Sequence, residues 1–324
     1  MSFSIVTKDE LARVMGNKQC CREAEFAALI KTNGTLLPTK DNQVVLNINT
    51  ESAALARKNF LLLKEIFQIY AHIQVKRKRK LRKNNIYIVR VSSPADASRV
   101  LERLRILDDK SQLKETIPGR LVRKECCRRA YLRGLFLGSG SINNPSSNYH
   151  LEITSSSENY AREICRLLQK FNLHPGLIAR KNGFVAYLKE GGQIADCLNI
   201  IGAHTALLDM ENIRVYKGMR NQINRLVNCE TANLSKTVNA SLNQLETIKF
   251  IASTLGIGKL PLPLRQVASA RLTYPDASLR ELGELIEPKI GKSGVRYRLK
   301  KLEDIARQYL LNQEVIFLKE KIPQ

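Results

Sequence analysis

Lys18-Gln19-Cys20-Cys21-Arg22-Glu23-Ala24 returns 106 residues later as Lys124-Glu125-Cys126-Cys127-Arg128-Arg129-Ala130. At the same offset Leu29 matches Leu135, and Gly34 matches Gly140. After a one-residue deletion the offset becomes 105. Leu46-Asn47-Ile48 then aligns with Leu151-Glu152-Ile153, Ala56-Arg57 with Ala161-Arg162, and Leu62-Leu63 with Leu167-Leu168. A register held over about fifty residues marks a duplicated structural unit.

Each copy reads in the same order. A helix carries the Cys-Cys pair and ends at Gly34 or Gly140, a residue suited to a helix C-terminus. A turn holding Pro38 or Pro145 leads to an alternating strand, Val44 to Ile48 or Tyr149 to Ile153. A second helix follows at 51–70 or 157–171, then a weaker strand at 72–77 or 176–180. A firmer strand, Ile86 to Val91 or Phe184 to Leu188, and a third helix at 95–107 or 191–201 close the unit, which is read as αββαββα. The fold class is therefore α+β: two pseudo-two-fold-related units (1–107 and 122–210) joined by a linker at 108–121. The first helix of each unit is expected at the axis, where Ala24, Ala27 and Ala28 of one and Ala130 and Gly134 of the other permit close approach.

The totals bound the function. The chain has 324 residues, 44% hydrophobic and 26% charged, which suits two or three folded domains. Its 53 Lys and Arg against 30 Asp and Glu leave +23 at pH 7, a charge that repels itself unless a polyanion is near. The excess is spread: +10 over 1–110, +5 over 111–210 and +8 over 211–324. Nucleic acid is the partner this favours. No apolar run reaches membrane-spanning length, and Met1-Ser2-Phe3-Ser4 lacks a signal-peptide pattern, so no membrane association and a cytoplasmic location are expected. Four of the seven cysteines form the adjacent pairs Cys20-Cys21 and Cys126-Cys127. Adjacent cysteines lack the C-x-x-C spacing of a zinc hook, so they read as buried, inert thiols, with no metal and no cofactor expected.

Beyond residue 210 helical periodicity replaces alternation. A helical linker spans 211–262, with one helix from Glu211 to Cys229 that turns Ile213, Tyr216, Ile223 and Leu226 inward. A second runs from Ser241 to Leu255 on Leu242, Leu245, Ile248 and Ile251. Leu260-Pro261-Leu262-Pro263 then forms a stiff hinge before an all-α domain at 263–324, whose first helix covers 264–273. Ser278 and Glu281 have capping-box spacing at the start of a short helix that buries Leu279, Leu282, Leu285 and Ile286 and stops before Pro288. After a turn with Gly291, Val295, Leu299, Leu302 and Ala306 share one face of the next helix. Ser293, Arg296, Tyr297 and Lys300 lie on the opposite face. A helix-turn-helix at 277–310 would present this set to base edges in the major groove, with Lys292, Arg298 and Lys301 meeting phosphates. In the first unit Lys76, Arg77, Lys78, Arg79 and Lys80 open a run of seven cations in eight residues between two strands, a second set of phosphate candidates.

Leu132-Arg133-Gly134-Leu135-Phe136-Leu137-Gly138-Ser139-Gly140 resembles a degenerate LAGLIDADG motif, the central helix of homing endonucleases; Phe26 to Gly34 is a weaker copy. In that family the acidic residue before the final glycine holds a divalent metal, and Mg²⁺ requires anionic oxygen ligands. The matching residues here are Asn33 and Ser139, both neutral, and the motif's other acidic position falls on Lys31 and Leu137. Cleavage is therefore not expected.

The whole chain is similar to the WhiA family of Gram-positive bacteria. The resemblance is carried by Tyr131 to Ile142, Asn143-Asn144-Pro145, Tyr149 to Ile153, Arg220 to Arg225, Cys229 to Asn233 and Ser278 to Gly283. It implies a non-catalytic regulator that binds double-stranded DNA, associates with the nucleoid, and influences cell division and chromosome segregation. Members in sporulating actinomycetes act as developmental transcription factors. The rival readings are an active homing endonuclease and a nucleic-acid-associated structural scaffold; protein partners are not readable.

Overall fold

A computed structural model describes residues 2–38, 43–77, 85–107 and 114–320, with side chains through Leu311. Two units emerge, 1–218 and 219–324.

The first unit holds the duplication. A helix α1 (Phe3–Arg13), for which the repeat has no counterpart, precedes it; Ser2 caps α1 by accepting from the Ile5 N–H. The first copy then runs α2 (Gln19–Asn33), β1 (Gly34–Pro38), β2 (Val44–Thr50), α3 (Ala53–Phe67), β3 (His72–Arg77), β4 (Asn85–Val91) and α4 (Pro94–Leu104). The second repeats it as α5 (Glu125–Ser139), β5 (Gly140–Ile142), β6 (Leu151–Ser155), α6 (Glu158–Gln169), β7 (Gly176–Arg180), β8 (Gly183–Leu188) and α7 (Gly191–Ile201). Both sheets are antiparallel with the same order, β1-β2-β4-β3 and β5-β6-β8-β7. The order αββαββα holds in both copies, with β1 and β5 as the strands for which the sequence pattern gave no residues. The sequence reading placed a turn directly after Gly34 and Gly140, whereas each glycine begins a strand. Gly34 (φ −78°, ψ 141°) and Gly140 (φ −79°, ψ 155°) are extended, so the chain passes from helix to strand without a loop.

Alternation fixes which face of each sheet meets the helices. In the first sheet the row Ile48, Val89 joins Leu46 and Val91 inside; in the second, Leu151, Ile153, Ala186 and Leu188 do the same. Burying each such aliphatic side chain contributes on the order of 1.5–3 kcal/mol. At the centre α2 crosses α5 through Ala24, Ala27, Ala28 and Ala130, all buried. A Cβ on Gly134 would lie 2.4 Å from the Glu25 carbonyl oxygen, and one on Gly138 1.9 Å from Thr32 Oγ1. The helices thus meet at backbone distance, which no larger residue permits.

This apolar crossing encloses an ion network. Glu25 on α2 is fully buried and pairs with Lys58 of α3 and with Arg133 of α5, the latter at 2.8 Å. Lys58 Nζ also donates to the carbonyls of Leu11 (2.9 Å) and Val14 (2.6 Å), and Arg133 to that of Ile201 (3.3 Å). Buried charge is tolerated only when every partner is present. The network therefore ties α1, α2, α3, α5 and the end of α7 to one geometry.

One helix, α8 (His204–Thr254, 51 residues), begins in the first unit and ends in the second. The sequence reading had two helices here. The residues it turned inward are largely outside: Tyr216 is 73% exposed, and Ile223, Leu226 and Leu242 are exposed too, while Ile248 and Ile251 are buried. In the second unit α9 (Leu262–Thr273), α10 (Leu279–Glu284) and α11 (Lys292–Glu320) pack on the end of α8 around Ile251, Val267, Leu282, Val295 and Leu299.

Candidate nucleic-acid interface

The second unit is built so that the start of α11 projects. At the start of α10 the capping box is formed: Glu281 N–H donates to Ser278 Oγ (3.3 Å), and Ser278 N–H donates to the Glu281 carboxylate (2.7 Å). Those bonds hold the Glu281 carboxyl below its ordinary value. Leu282 and Ile286 are buried and Leu279 is half-buried. Leu285, expected inside, is half-exposed because α10 ends at Glu284 and Leu285 caps it. Gly283 lets the turn fold back: a Cβ there would stand 2.0 Å from the Ile290 carbonyl oxygen, and Ile290 N–H donates to Gly283 O at 3.0 Å. Buried Arg271 on α9 fastens the other turn by donating to the carbonyls of Pro275 (3.3 Å) and Ala277 (2.6 Å).

These supports orient α11. Val295, Leu299, Leu302 and Ala306 are buried, as their 3.6-residue spacing requires. Ser293, Arg296, Tyr297 and Lys300 are all exposed on the other side. Tyr297 is 61% exposed, with Lys301 Nζ 5.0 Å above its ring, an arrangement that preorganises both side chains at the surface. Lys292 and Lys301 are exposed and Arg298 is half-buried at the flank. The seven residues therefore lie within about the first three turns of one helix, whose free N-terminal N–H groups add positive potential there.

The first unit offers a second basic surface. Lys76 and Arg77 end β3, an edge strand, and both are exposed; Lys78, Arg79 and Lys80 lie outside the described residues. Pairing registers show what the sequence did not. Thr35, Asn47, Arg90 and His72 form one row across the first sheet, on the face away from the core, and Asn49, Ile88 and Gln74 form the next. The period-2 alternation of 44–50 and 85–91 was the signal for these residues, though the row needs the strand order as well. The matching row of the second sheet is Ser141, Glu152, Tyr187 and Gly176. There Arg180 pairs with Glu152 at 2.9 Å, and His150 and Ser141 bond the same carboxylate at 3.2 Å. Burial pushes the Glu152 carboxyl up, but these partners hold it below its ordinary value. The first sheet presents cations outward; the second binds its own Arg180 with an acid.

Asn33 and Ser139 sit at the ends of α2 and α5, both half-buried. Asn33 borders a cavity of about 910 Å³ that Lys8, Asp9, Arg13 and Asn49 also line. Ser139 Oγ is turned back to the Leu135 carbonyl (3.4 Å), and Lys31 Nζ donates to the Lys114 carbonyl. Leu137 is buried. The motif positions themselves offer a divalent cation an amide and a hydroxyl in place of paired carboxylates, while Asp9 and Glu51 line the cavity together with the cations Lys8 and Arg13. Among the described residues, the group of three or more His, Cys, Asp or Glu able to surround a metal is elsewhere: Cys20, Cys21, Cys126 and Cys127.

Comparison with known proteins agrees with this architecture. The WhiA N-terminal LAGLIDADG-like domain matches residues 19–107, the WhiA LAGLIDADG-like domain 128–220, and the WhiA C-terminal HTH domain 223–306. A protein of Desulforamulus reducens named "Probable cell division protein WhiA" is 53% identical over 315 residues, covering 97% of this chain and 98% of its own. Its namesake from Heliobacterium modesticaldum is 48% identical over 309 residues, covering 95% and 97%. The crystal structure of full-length WhiA from Thermotoga maritima superposes with a TM-score of 0.58 at 27% identity, covering 95% of this chain and 99% of that one. No helix among the described residues is long and apolar enough to cross a membrane.

Proposed function

The chain belongs to the WhiA family, and we propose that it is a non-catalytic regulator that binds double-stranded DNA at the nucleoid, in the cytoplasm, and acts in cell division and chromosome segregation as a transcription factor. The observation that carries this reading is the outward set Ser293, Arg296, Tyr297 and Lys300 on α11, backed by a buried stripe one helix-width away. A helix about 10–12 Å across fits the B-DNA major groove. Arg296 is the best-suited side chain for bidentate contact to a guanine edge, and Ser293, Tyr297 and Lys300 flank it; Lys292, Arg298 and Lys301 are placed for the phosphates on either side. The basic run from Lys76 to Lys80 adds sequence-independent grip through counterion release. Relatives named for cell division supply the biological direction.

A DNA-binding body without cleavage follows from the neutral Asn33 and Ser139 at the positions where the homing endonucleases have metal-holding acids. The test is a mobility-shift and nicking assay on genomic duplex with the intact chain and its Arg296→Ala variant. Expected is a salt-sensitive shift by wild type that weakens about 5- to 150-fold in the variant, the equivalent of about 1–3 kcal/mol, with no nicking in Mg²⁺. An unchanged shift in the variant would remove α11 from the interface, and Mg²⁺-dependent nicking would restore the nuclease reading.

A further inference from the structure

The repeat that begins at Lys18 and Lys124 places a Cys-Cys pair in the first turn of each central helix. In sequence these pairs are 106 residues apart. In the fold all four sulfurs lie within 4.8 Å of one another, and the Sγ atoms of Cys126 and Cys127 are 4.0 Å apart. Cys21 and Cys127 are buried, as the sequence leads one to expect, whereas Cys20 and Cys126 are half-buried. Neighbouring residues on a helix point about 100° apart, so one pair cannot stack like a C-x-x-C hook but can straddle a point beside the helix. Two such helices, starting side by side, put four sulfurs around that point.

A tetrahedral zinc–thiolate centre has Zn–S distances of about 2.3 Å, which sets its sulfurs about 3.8 Å apart. Sulfurs already mutually within 4.8 Å reach that geometry by shifts of an ångström or less. The surroundings suit the charge. Four thiolates and one Zn²⁺ carry a net −2, and they would stand at two helix N-termini, where Lys18 and Lys124 are the exposed N-cap residues. Soft ligands of this kind select thiophilic cations over Mg²⁺ or Ca²⁺.

We propose that Cys20, Cys21, Cys126 and Cys127 form a structural four-thiolate site for Zn²⁺ that clamps the N-terminal ends of α2 and α5. Binding exchanges four S–H protons for one cation, so affinity rises with pH. With four protein ligands no position is left open for water, and the site holds structure without catalysing a reaction. It fastens the end of the central crossing opposite Asn33 and Ser139, where the homing-endonuclease metal would lie. The proposal is independent of DNA binding.

The test uses full-length protein, purified reduced and without a metal-affinity tag, stripped with chelator and titrated with Co²⁺. Expected is saturation at about one Co²⁺ per chain, with near-ultraviolet sulfur-to-cobalt charge transfer and the visible bands of a tetrahedral site, displaced by an equal amount of Zn²⁺. The combined Cys20→Ser and Cys126→Ser variant loses the bands, while Cys165→Ser and Cys229→Ser keep them. In parallel, Zn²⁺ is expected to shield the four cysteines of wild type from iodoacetamide and to leave exposed Cys229 reactive. That readout stands even if the variant misfolds. Absent charge transfer in reduced wild type, bands that survive the double substitution, unshielded cysteines, or disulfides within the cluster and no metal uptake after reduction would each overturn the proposal.

Discussion

Gly283→Ala tests the argument that the α10–α11 turn depends on backbone contact. The new methyl would stand 2.0 Å from the Ile290 carbonyl oxygen and 3.3 Å from Val295 Cγ2. Neither neighbour is a flexible side-chain end: the first is backbone, and the second belongs to a fully buried residue. The turn must move, and the 3.0 Å bond from Ile290 N–H to Gly283 O is weakened or lost with it. Overpacking of this kind costs about 1–3 kcal/mol, and a lost backbone hydrogen bond about 1 kcal/mol more. Alanine recovers about 1 kcal/mol in helix propensity. The net is about 1–3 kcal/mol against the helix-turn-helix, or about tenfold in amide protection for each 1.4 kcal/mol. Hydrogen exchange is the assay, because it reports α9, α10 and α11 separately from the first unit. Gly258→Ala, at a position where a Cβ meets nothing within 4 Å, serves as control and should change protection by under about 0.5 kcal/mol. Equal protection in Gly283→Ala and wild type, or equal loss in both variants, would refute the reasoning.

Three further outcomes follow from the same geometry. Glu25→Gln leaves Lys58 buried without its carboxylate and should destabilise the first unit by about 3–5 kcal/mol, read as a lowered first transition in calorimetry. Because Glu281 is held below its ordinary carboxylate value, the cap's ionic contribution is complete above the unfolded value and is lost as pH falls through the lowered folded one. Glu281→Gln should therefore flatten the acid limb of exchange protection in α10, and an unaltered limb would count against the cap. Replacing Lys76 and Arg77 with alanine should reduce the slope of log affinity against log salt by about 2 without changing preference among duplexes; anisotropy titrations at several salt concentrations measure both.

The inward stripe of α11 and the cap of α10 were legible because each depends on near neighbours in sequence, and the duplication because the chain matches itself at a nearly constant offset. Ser278 and Glu281 announced their own cap, and Val295, Leu299, Leu302 and Ala306 their own face. What escaped depended on tertiary context. Strands β1 and β5 follow their helices with no loop, so Gly34 and Gly140 looked like punctuation. The stretch from Glu211 to Leu255 reads as two helices with a break between Cys229 and Ser241, where Asn233, Thr237 and Asn239 are poor helix formers. The periodic Tyr216, Ile223 and Leu226 then suggested a buried side that the folded helix leaves open. The sulfur cluster was invisible for a different reason: Cys20 and Cys126 meet only through the pseudo-two-fold crossing, which no local spacing encodes. The row Thr35, Asn47, Arg90 and His72 likewise requires the strand order as well as the strands.

The most direct measurement of the central claim is photocrosslinking from α11 itself. Benzoylphenylalanine placed at Tyr297 and, as control, at Leu310 gives two exposed probes on one helix, separated by about 20 Å at 1.5 Å rise per residue. With duplex DNA bound, crosslinks to bases from position 297 and none from 310 are predicted. Equal crosslinking from both positions, or none from 297 while the protein remains bound, would contradict recognition by the N-terminal turns of this helix.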